Sequence, residues 1–333
     1  MRDAAAQIID RIQLARDSRT TLRIAGQGSK AELLGSRRGD VLLDLTSHCG
    51  VEQYRPEELV ITARAGTSLD EVNQTLAEKG QCLAAEPPGY KSRGTVGGVV
   101  ASGLSGPSRP FRGSLRDTVL GVVMVNGLGE RLKFGGEVFK NVAGFDVARL
   151  MVGSEGAFGV LLSVSLRVAP LDPAIGCFRK AMPASDAVSS MRAWALKPLP
   201  LTGLAWVDGV LHWRIAGAPS VVEATRVKLA GEEDDPTFWT ALRDRSLPCF
   251  STLVNSRALV PPSTPPDGDD VCIDWAGSLR WRRGDSTSIN NVSKIGESPL
   301  CGSGVDPLLI RIKAAFDPGR IFNPDLLHAD ITA

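Results

Sequence analysis

The 333-residue chain is short of the residues that build most catalytic centres. Its three histidines, His48, His212 and His328, are too scattered for a zinc site or a proton relay, so no metal is expected. The six cysteines (Cys49, Cys82, Cys177, Cys249, Cys272 and Cys301) contain no C-x-x-C pair. That spacing argues for reduced, buried thiols and against an iron–sulfur cluster held by this chain. Lys plus Arg number 38 and Asp plus Glu 37, so the basic excess of a nucleic-acid binder is missing and no nucleic-acid partner is expected. No apolar run approaches the roughly 18 residues that cross a bilayer. The best, residues 120–125, is strand-sized, and no transmembrane segment is expected. The opening Met-Arg-Asp-Ala-Ala-Ala-Gln lacks the apolar core of a signal peptide, which makes a cytoplasmic location the expectation.

Four familiar signatures are also missing. No G-x-G-x-x-G opens a helix after a strand, no G-x-x-x-x-G-K-[ST] occurs, and neither H-E-x-x-H nor G-x-S-x-G is present. These absences remove the usual dinucleotide fold, the P-loop, the zinc proteases and the nucleophile elbow.

What the chain has in excess is glycine, 35 residues, of which 16 fall between residues 89 and 159. They are interleaved with Val, Leu, Phe and Met, so the stretch is no linker. Glycine there marks turns and places where backbone comes close to a neighbour or a ligand. Around it the chain alternates between helix and strand patterns. Apolar residues at helical spacing predict a helix over residues 4–17. Short strands are expected over 22–25, 41–45 and 58–63. Ser68 with Glu71 three residues on predicts a capped helix ending at Lys79-Gly80. Asn126-Gly127 between two apolar stretches predicts a hairpin over 118–134, and residues 158–168 read as another strand. A domain boundary is expected near the Ala169–Pro173 turn region, dividing the chain into 1–170 and 171–333. The last helix is expected to start at Asp306-Pro307 and to carry Leu308, Leu309, Ile312 and Phe316 inward.

Four glycine-rich segments are the candidate site. The first, Gly26-Gln27-Gly28-Ser29-Lys30, can turn several amides toward one anion, although a plain turn before a helix accounts for it equally well. The second is Pro88-Gly89 followed by Thr95-Val96-Gly97-Gly98 and, further on, Ala101-Ser102-Gly103. Its residues are small or β-branched, so a flat group or a diphosphate could lie against the backbone; tight sheet packing is the alternative. The basic residues Lys91, Arg93, Arg109, Arg112 and Arg116 nearby suit an anionic ligand. The third segment is Gly113-Ser114-Leu115-Arg116-Asp117. The fourth is Gly153-Ser154-Glu155-Gly156-Ala157-Phe158-Gly159-Val160, in which Glu155 could accept from a ribose or a ring group, or simply be a solvated turn carboxylate.

In this order the four segments resemble the flavin-binding domain of the vanillyl-alcohol-oxidase/para-cresol-methylhydroxylase (PCMH-type) superfamily. The runs Arg109-Pro110-Phe111-Arg112-Gly113-Ser114-Leu115-Arg116-Asp117 and Lys140-Asn141-Val142-Ala143-Gly144 narrow this further. So do Ile273-Asp274-Trp275-Ala276-Gly277-Ser278-Leu279-Arg280-Trp281 and the tail Phe316-Asp317-Pro318-Gly319-Arg320-Ile321-Phe322-Asn323-Pro324. They resemble the family of FAD-binding E subunits of bacterial glycolate oxidase. The likeness spans about residues 20 to 328 and is strongest from 86 to 168.

The resemblance implies an α+β fold, with a PCMH-type FAD-binding domain of two α/β subdomains followed by a shortened α+β second domain. It implies an FAD-dependent 2-hydroxy-acid oxidoreductase subunit that acts on glycolate with a second flavin subunit and an iron–sulfur subunit. Through those partners the chain could sit at the inner face of the cell membrane. The cofactor residues it implies are those of the four segments: Gly26 to Lys30, Pro88, Gly89, Thr95 to Gly98, Ala101 to Gly103, Gly113, Ser114, Arg116, Asp117, Glu155, Gly156, Gly159 and Val160. Members with covalent FAD use a His or Cys near the loops; here the first loop has none and Ser102 stands in the second, so non-covalent FAD is expected. No catalytic base is identified: His212 alternates with Val210 and Arg214 as one face of a strand. The competing reading is a non-catalytic flavin-binding or electron-relay subunit; a nucleotide-sugar reductase would need an NADPH surface that the sequence does not show. Trp275 and Trp281 are candidate partner anchors or core residues of a strand.

Overall fold

The computed structural model describes residues 3–90, 94–136, 146–252, 254–284, 292–301 and 306–327. The Lys140–Gly144 run, Lys91, Arg93 and His328 lie outside the described residues. The helix expected at the start forms as Ala5–Ser18 and buries Ile8, Ile12 and Ala15. Leu22–Ala25 and Val41–Asp44 follow as a parallel two-stranded sheet.

Five strands then make an antiparallel sheet in the order Val51–Arg55, Val60–Arg64, Val160–Arg167, Val119–Val125, Arg131–Gly135. The central Val160–Arg167 strand is buried along nearly its whole length, as its run of Val and Leu requires for a strand covered on both faces. Its two serines are buried as well, and Ser165 Oγ meets Thr62 Oγ1 across the ladder at 2.8 Å, so neither hydroxyl is left dry and unpaired. Ser68 caps the helix Leu69–Ala77 by accepting from the Glu71 amide, and Leu69, Val72 and Leu76 point into the core.

The Asn126-Gly127 hairpin forms, but not through a two-residue turn. The Asn126 amide donates to Glu130 O, and Asn126 Oδ1 accepts from the Leu128 and Glu130 amides. Gly129, at φ +81°, takes the left-handed position. Gly127 instead makes room for Asp317: a Cβ there would lie 2.4 Å from Asp317 Oδ1.

Beyond residue 173 lies an eight-stranded antiparallel sheet running from Glu232–Glu233 through Ala174–Ala181, Val210–Gly217, Leu201–Val207, Asp270–Asp274, Leu279–Arg282 and Ser256–Leu259 to Val292–Lys294. Trp213, fully buried, stacks on Phe178 and meets Trp194 edge-on among the residues of the Ala184–Ala195 helix. A second cluster joins this sheet to the first unit: Cys177, Ala205, Trp239 and Trp281 pack with Leu33, Leu34 and Leu104. Arg214 holds Glu86 at 2.7 Å across the junction, and Trp275 Nε1 donates to Gly106 O at 3.0 Å. Trp281 is thus core and Trp275 a junction residue; neither is an exposed anchor.

The end of the chain returns to the first unit. Asp306 caps the helix Pro307–Phe316, with Pro307 at its first position. Leu309, Ile312 and Phe316 pack on the first unit's core, but Leu308 is 56% exposed, contrary to the expected inward face. The buried residue of this helix is Lys313, whose Nζ donates to Asp317 Oδ2, Ala157 O and Phe322 O at 2.7–2.8 Å. Phe322 then bridges to Leu22, extending the small parallel sheet. Residues 306–327 therefore pack with the flavin-like unit in space, although they follow the sheet unit in sequence. Among the described residues no helix is long and apolar enough to cross a membrane.

Candidate functional site

A cleft opens between the small parallel sheet and the five-stranded sheet. One wall is Gly26, Gln27, Gly28, Ser29 and Lys30; the second is Thr95, Gly97, Gly98, Ala101 and Ser102; Glu155, Gly156 and Gly159 close it. The structure therefore brings together thirteen of the residues expected from sequence. It does not bring the rest. Val96 and Val160 turn into the cores, at 1% and 0% exposure. Gly103 ends the Val96–Ser102 helix at φ +65° against Gly153. Pro88 is buried, and the Gly89 amide donates to Asp244 in the junction between the units. Gly113, Ser114 and Asp117 line a separate hollow beside Arg109 and Trp275. There Ser114 and Asp117 form a capping box for residues Leu115–Thr118, and Arg116 faces solvent. The third segment is a local helix cap, because a Ser and an Asp three residues apart satisfy each other's backbone before they reach any ligand.

The expected cations also fall elsewhere. Arg109 lies over the Trp275 ring at 4.3 Å and Arg112 pairs with Asp172. The basic side chains at the cleft are Arg23, Lys30 and Arg37.

The two main walls differ in their hydrogen bonding. On the second, Val96 N donates to Thr67 O, Gly97 N to Ala65 O, and Gly98 N to Thr95 Oγ1. On the first, the amides of Gln27, Gly28 and Ser29 donate to no described residue. Gly28 takes φ +68° with open space where a Cβ would stand. Next to these amides Lys30 is 9% exposed, and its Nζ reaches Ser29 Oγ at 2.9 Å. Burial pushes its pKa down to about 8, and no carboxylate among the described residues is in ion-pair range. Free amides beside a buried, unpaired ammonium form a receptor for an anionic group.

Among the described residues Glu155 is the one acid in the cleft wall. Its side chain is 6% exposed and accepts from Ser298 Oγ at 2.8 Å, while Oε2 has no hydrogen bond. Burial pushes its pKa up, against the Ser298 hydrogen bond and the Arg37 charge, which lower it. Asn323 fixes this corner: its Nδ2 donates to Glu155 O and its Oδ1 accepts from the Ile24 amide. Sequence reasoning missed Arg37, Ser298 and Asn323. Asn323 stood in a quoted tail motif, so its signal was present; the other two carry no local pattern.

Neither described histidine takes part in the cleft. His48 is 2% exposed and its Nδ1 accepts from the Ala4 amide. His212 pairs with Asp234 at 2.7 Å and stacks on Phe238 at 3.7 Å. Burial lowers the pKa of both.

Comparison with known proteins follows the same lines. The FAD binding domain family matches residues 3–135. Glycolate oxidase subunit GlcE of Escherichia coli (strain K12) is 39% identical over 347 residues, covering 99% of this chain and 99% of that protein. A D-lactate dehydrogenase of Anaerostipes hadrus is 33% identical over 150 residues, which is 44% of this chain and 31% of that enzyme. In structure, alkyldihydroxyacetonephosphate synthase superposes with a TM-score of 0.68 at 16% identity, covering 96% of this chain and 74% of that one; this likeness concerns the fold alone.

Proposed function

The chain belongs to the family of the glycolate oxidase subunit GlcE, and on that footing we propose that it is the FAD-binding subunit of a glycolate oxidase, holding FAD non-covalently in the cleft of residues 26–30, 95–102 and 154–161. The observation that carries the reading is the first wall: the amides of Gln27, Gly28 and Ser29, with no acceptor among the described residues, and the buried Lys30 beside them fit a diphosphate, and Gly28 leaves the approach open. Bound FAD would supply hydride and electron acceptance, chemistry that protein side chains lack.

This chain's residues hold and orient. Gln27 to Lys30 take the anionic part of the cofactor. Gly98 keeps the second wall flat: apart from Thr95 Oγ1 at 3.2 Å, a Cβ there would project into open space. Glu155, whose Oε2 makes no hydrogen bond and lies 3.6 Å from the Arg37 guanidinium, offers a polar group to the ligand, and Asn323 fixes its backbone. Covalent attachment has no support at the cleft, because no His, Cys or Tyr among the described residues lines it.

Among the described residues no imidazole reaches the cleft to serve as a base for the substrate hydroxyl. Turnover therefore requires partner subunits, a second flavin subunit and an iron–sulfur subunit. With them the chain works in the cytoplasm or at the inner face of the membrane. Reconstitution tests this. The purified chain should be yellow yet show no glycolate-dependent dye reduction, and activity should return when both partners are added. Robust turnover by the chain alone would sink the subunit reading.

A further inference from the structure

Where the two units meet, Lys30, Arg245 and Arg257 have no carboxylate in ion-pair range among the described residues; Asp244 and Glu155 act on Lys30 and Arg257 from further off. The Arg245 guanidinium carbon lies 5.3 Å from the Trp281 ring centroid, 5.6 Å from that of Phe250 and 6.0 Å from that of Tyr90. Its buried Nε has no hydrogen-bond partner. Arg257 stands directly opposite Trp281 in the antiparallel ladder, so its side chain shares that face. Lys30 reaches over the same Tyr90 ring at 5.7 Å. Asp244, the adjoining acid, is held by Arg243 at 2.6 Å and accepts from the Gly89 amide.

Buried cations are normally paired, because an uncompensated charge in a dry junction is costly. Here the Arg245 guanidinium and the Lys30 ammonium both lie over the Tyr90 ring, and Arg257 shares the sheet face of Trp281 beside them, so mutual repulsion raises that cost. The strain is felt by the groups themselves. Burial lowers the pKa of Arg257, whose titratable neighbours are the neutral phenol of Tyr90, the Arg245 guanidinium and the Glu155 carboxyl. Burial pushes Tyr90 up to about 12, leaving it a neutral hydroxyl donor. An arrangement of this kind is relieved by one small anion. Guanidinium forks match a carboxylate, and the rings of Tyr90, Phe250 and Trp281 leave little room for a long tail.

The place is informative too. Lys30 and Glu155 line the cofactor cleft and are also neighbours of this cluster, so the cluster adjoins the cleft from the side of the second unit. We propose that Tyr90, Arg245 and Arg257 form a binding site for the carboxylate of a small 2-hydroxy or 2-oxo acid, reaching the cofactor cleft past Lys30. The identity of the acid rests on the proposed function; the anion site rests on the cluster alone. The site orients an acid without a base, so it binds but does not by itself turn over.

The test is calorimetric titration of the full-length chain with oxalate, a non-oxidisable dicarboxylate, alongside glycolate and sulfate, with flavin content measured in each sample. Saturable oxalate binding is expected, weakened roughly tenfold to a hundredfold in Arg257→Gln and Arg245→Gln, as loss of a charge-assisted hydrogen bond predicts. Arg257→Lys, which keeps the charge but not the fork, should bind at intermediate strength and guards against a misfolded Gln variant. Arg192→Gln, an exposed helix position, should bind as the unsubstituted chain does. No saturable heat with oxalate, sulfate binding as tightly as oxalate, or unaltered binding in a folded Arg257→Gln chain would each overturn the site. Flavin content separates the two claims. A yellow chain blind to oxalate removes the carboxylate site and leaves the FAD reading. A colourless chain that binds oxalate does the reverse.

Discussion

The two glycine-rich walls of the cleft look alike in sequence and do opposite things. Gly26 to Lys30 leave three amides with no acceptor among the described residues, beside an ammonium that bonds Ser29 Oγ but no described carboxylate, which is the condition of a receptor. Thr95 to Gly98 leave nothing over: each amide after Thr95 is already bonded, and a Cβ on Gly97 would stand 2.7 Å from Ala65 Cβ. The second wall is a packing device that brings a helix against the Val60–Arg64 strand and its Ala65 extension. Gly97 and Gly98 both line the cleft, but an added Cβ would meet Ala65 at Gly97 and little beyond Thr95 Oγ1 at Gly98. A run of glycines thus marks close approach, but whether the close neighbour is protein or ligand is decided by the hydrogen bonds around it.

Substitutions at the two adjacent glycines should separate these roles. Gly98→Val is expected to fold and to lose FAD affinity by about tenfold or more, as a branched side chain enters the cleft. Full flavin occupancy in that variant would make the wall irrelevant to the cofactor. Gly97→Val should do the reverse, losing about 1–3 kcal/mol of stability by overpacking on Ala65 while its residual folded fraction still binds FAD. Denaturant unfolding of the two chains, with flavin content measured in parallel, reads both.

On the first wall, pH is the probe. Lys30 titrates near 8 in the free chain, and an anion bound beside it favours the protonated form. FAD affinity should therefore fall as pH rises through about 8, and this dependence should vanish in Lys30→Gln. Stability of the free chain should move the other way. The folded-state pKa lies below the unfolded value of 10.5, so the unfolded chain binds more protons between about 8 and 10.5. The Lys30 contribution to stability then rises with pH across that window. Equal pH profiles for Lys30→Gln and the unsubstituted chain would remove Lys30 from the receptor. The smallest effect is expected at Thr95→Ala, which deletes the side-chain cap of Gly98 N and costs about 1 kcal/mol, largely recovered in Thr95→Ser.

Much of this was legible in the chain. Periodicity located the first helix, Ser68 the helix Leu69–Ala77, and Asp306-Pro307 the last described helix, because capping chemistry is local. Proximity in sequence to glycine found thirteen cleft residues. It failed at Gly113 to Asp117, where the same residue types satisfy one another as a helix cap. It failed too for Arg109 and Arg112, whose partners Trp275 and Asp172 are distant in the chain. Leu308 followed helical spacing yet faces solvent, because Lys313 occupies the inward side to satisfy the carbonyls of Ala157 and Phe322. Tertiary pairing of this kind, like Asn323 on Glu155 or Arg245 among three rings, leaves no trace in a window of neighbouring residues.

The account stands most directly on one measurement, the flavin released by acid precipitation of the purified chain. One FAD per chain is expected in the supernatant, since no His, Cys or Tyr among the described residues lines the cleft to hold it covalently. Flavin retained in the pellet, or a chain that carries none after incubation with FAD, would contradict it.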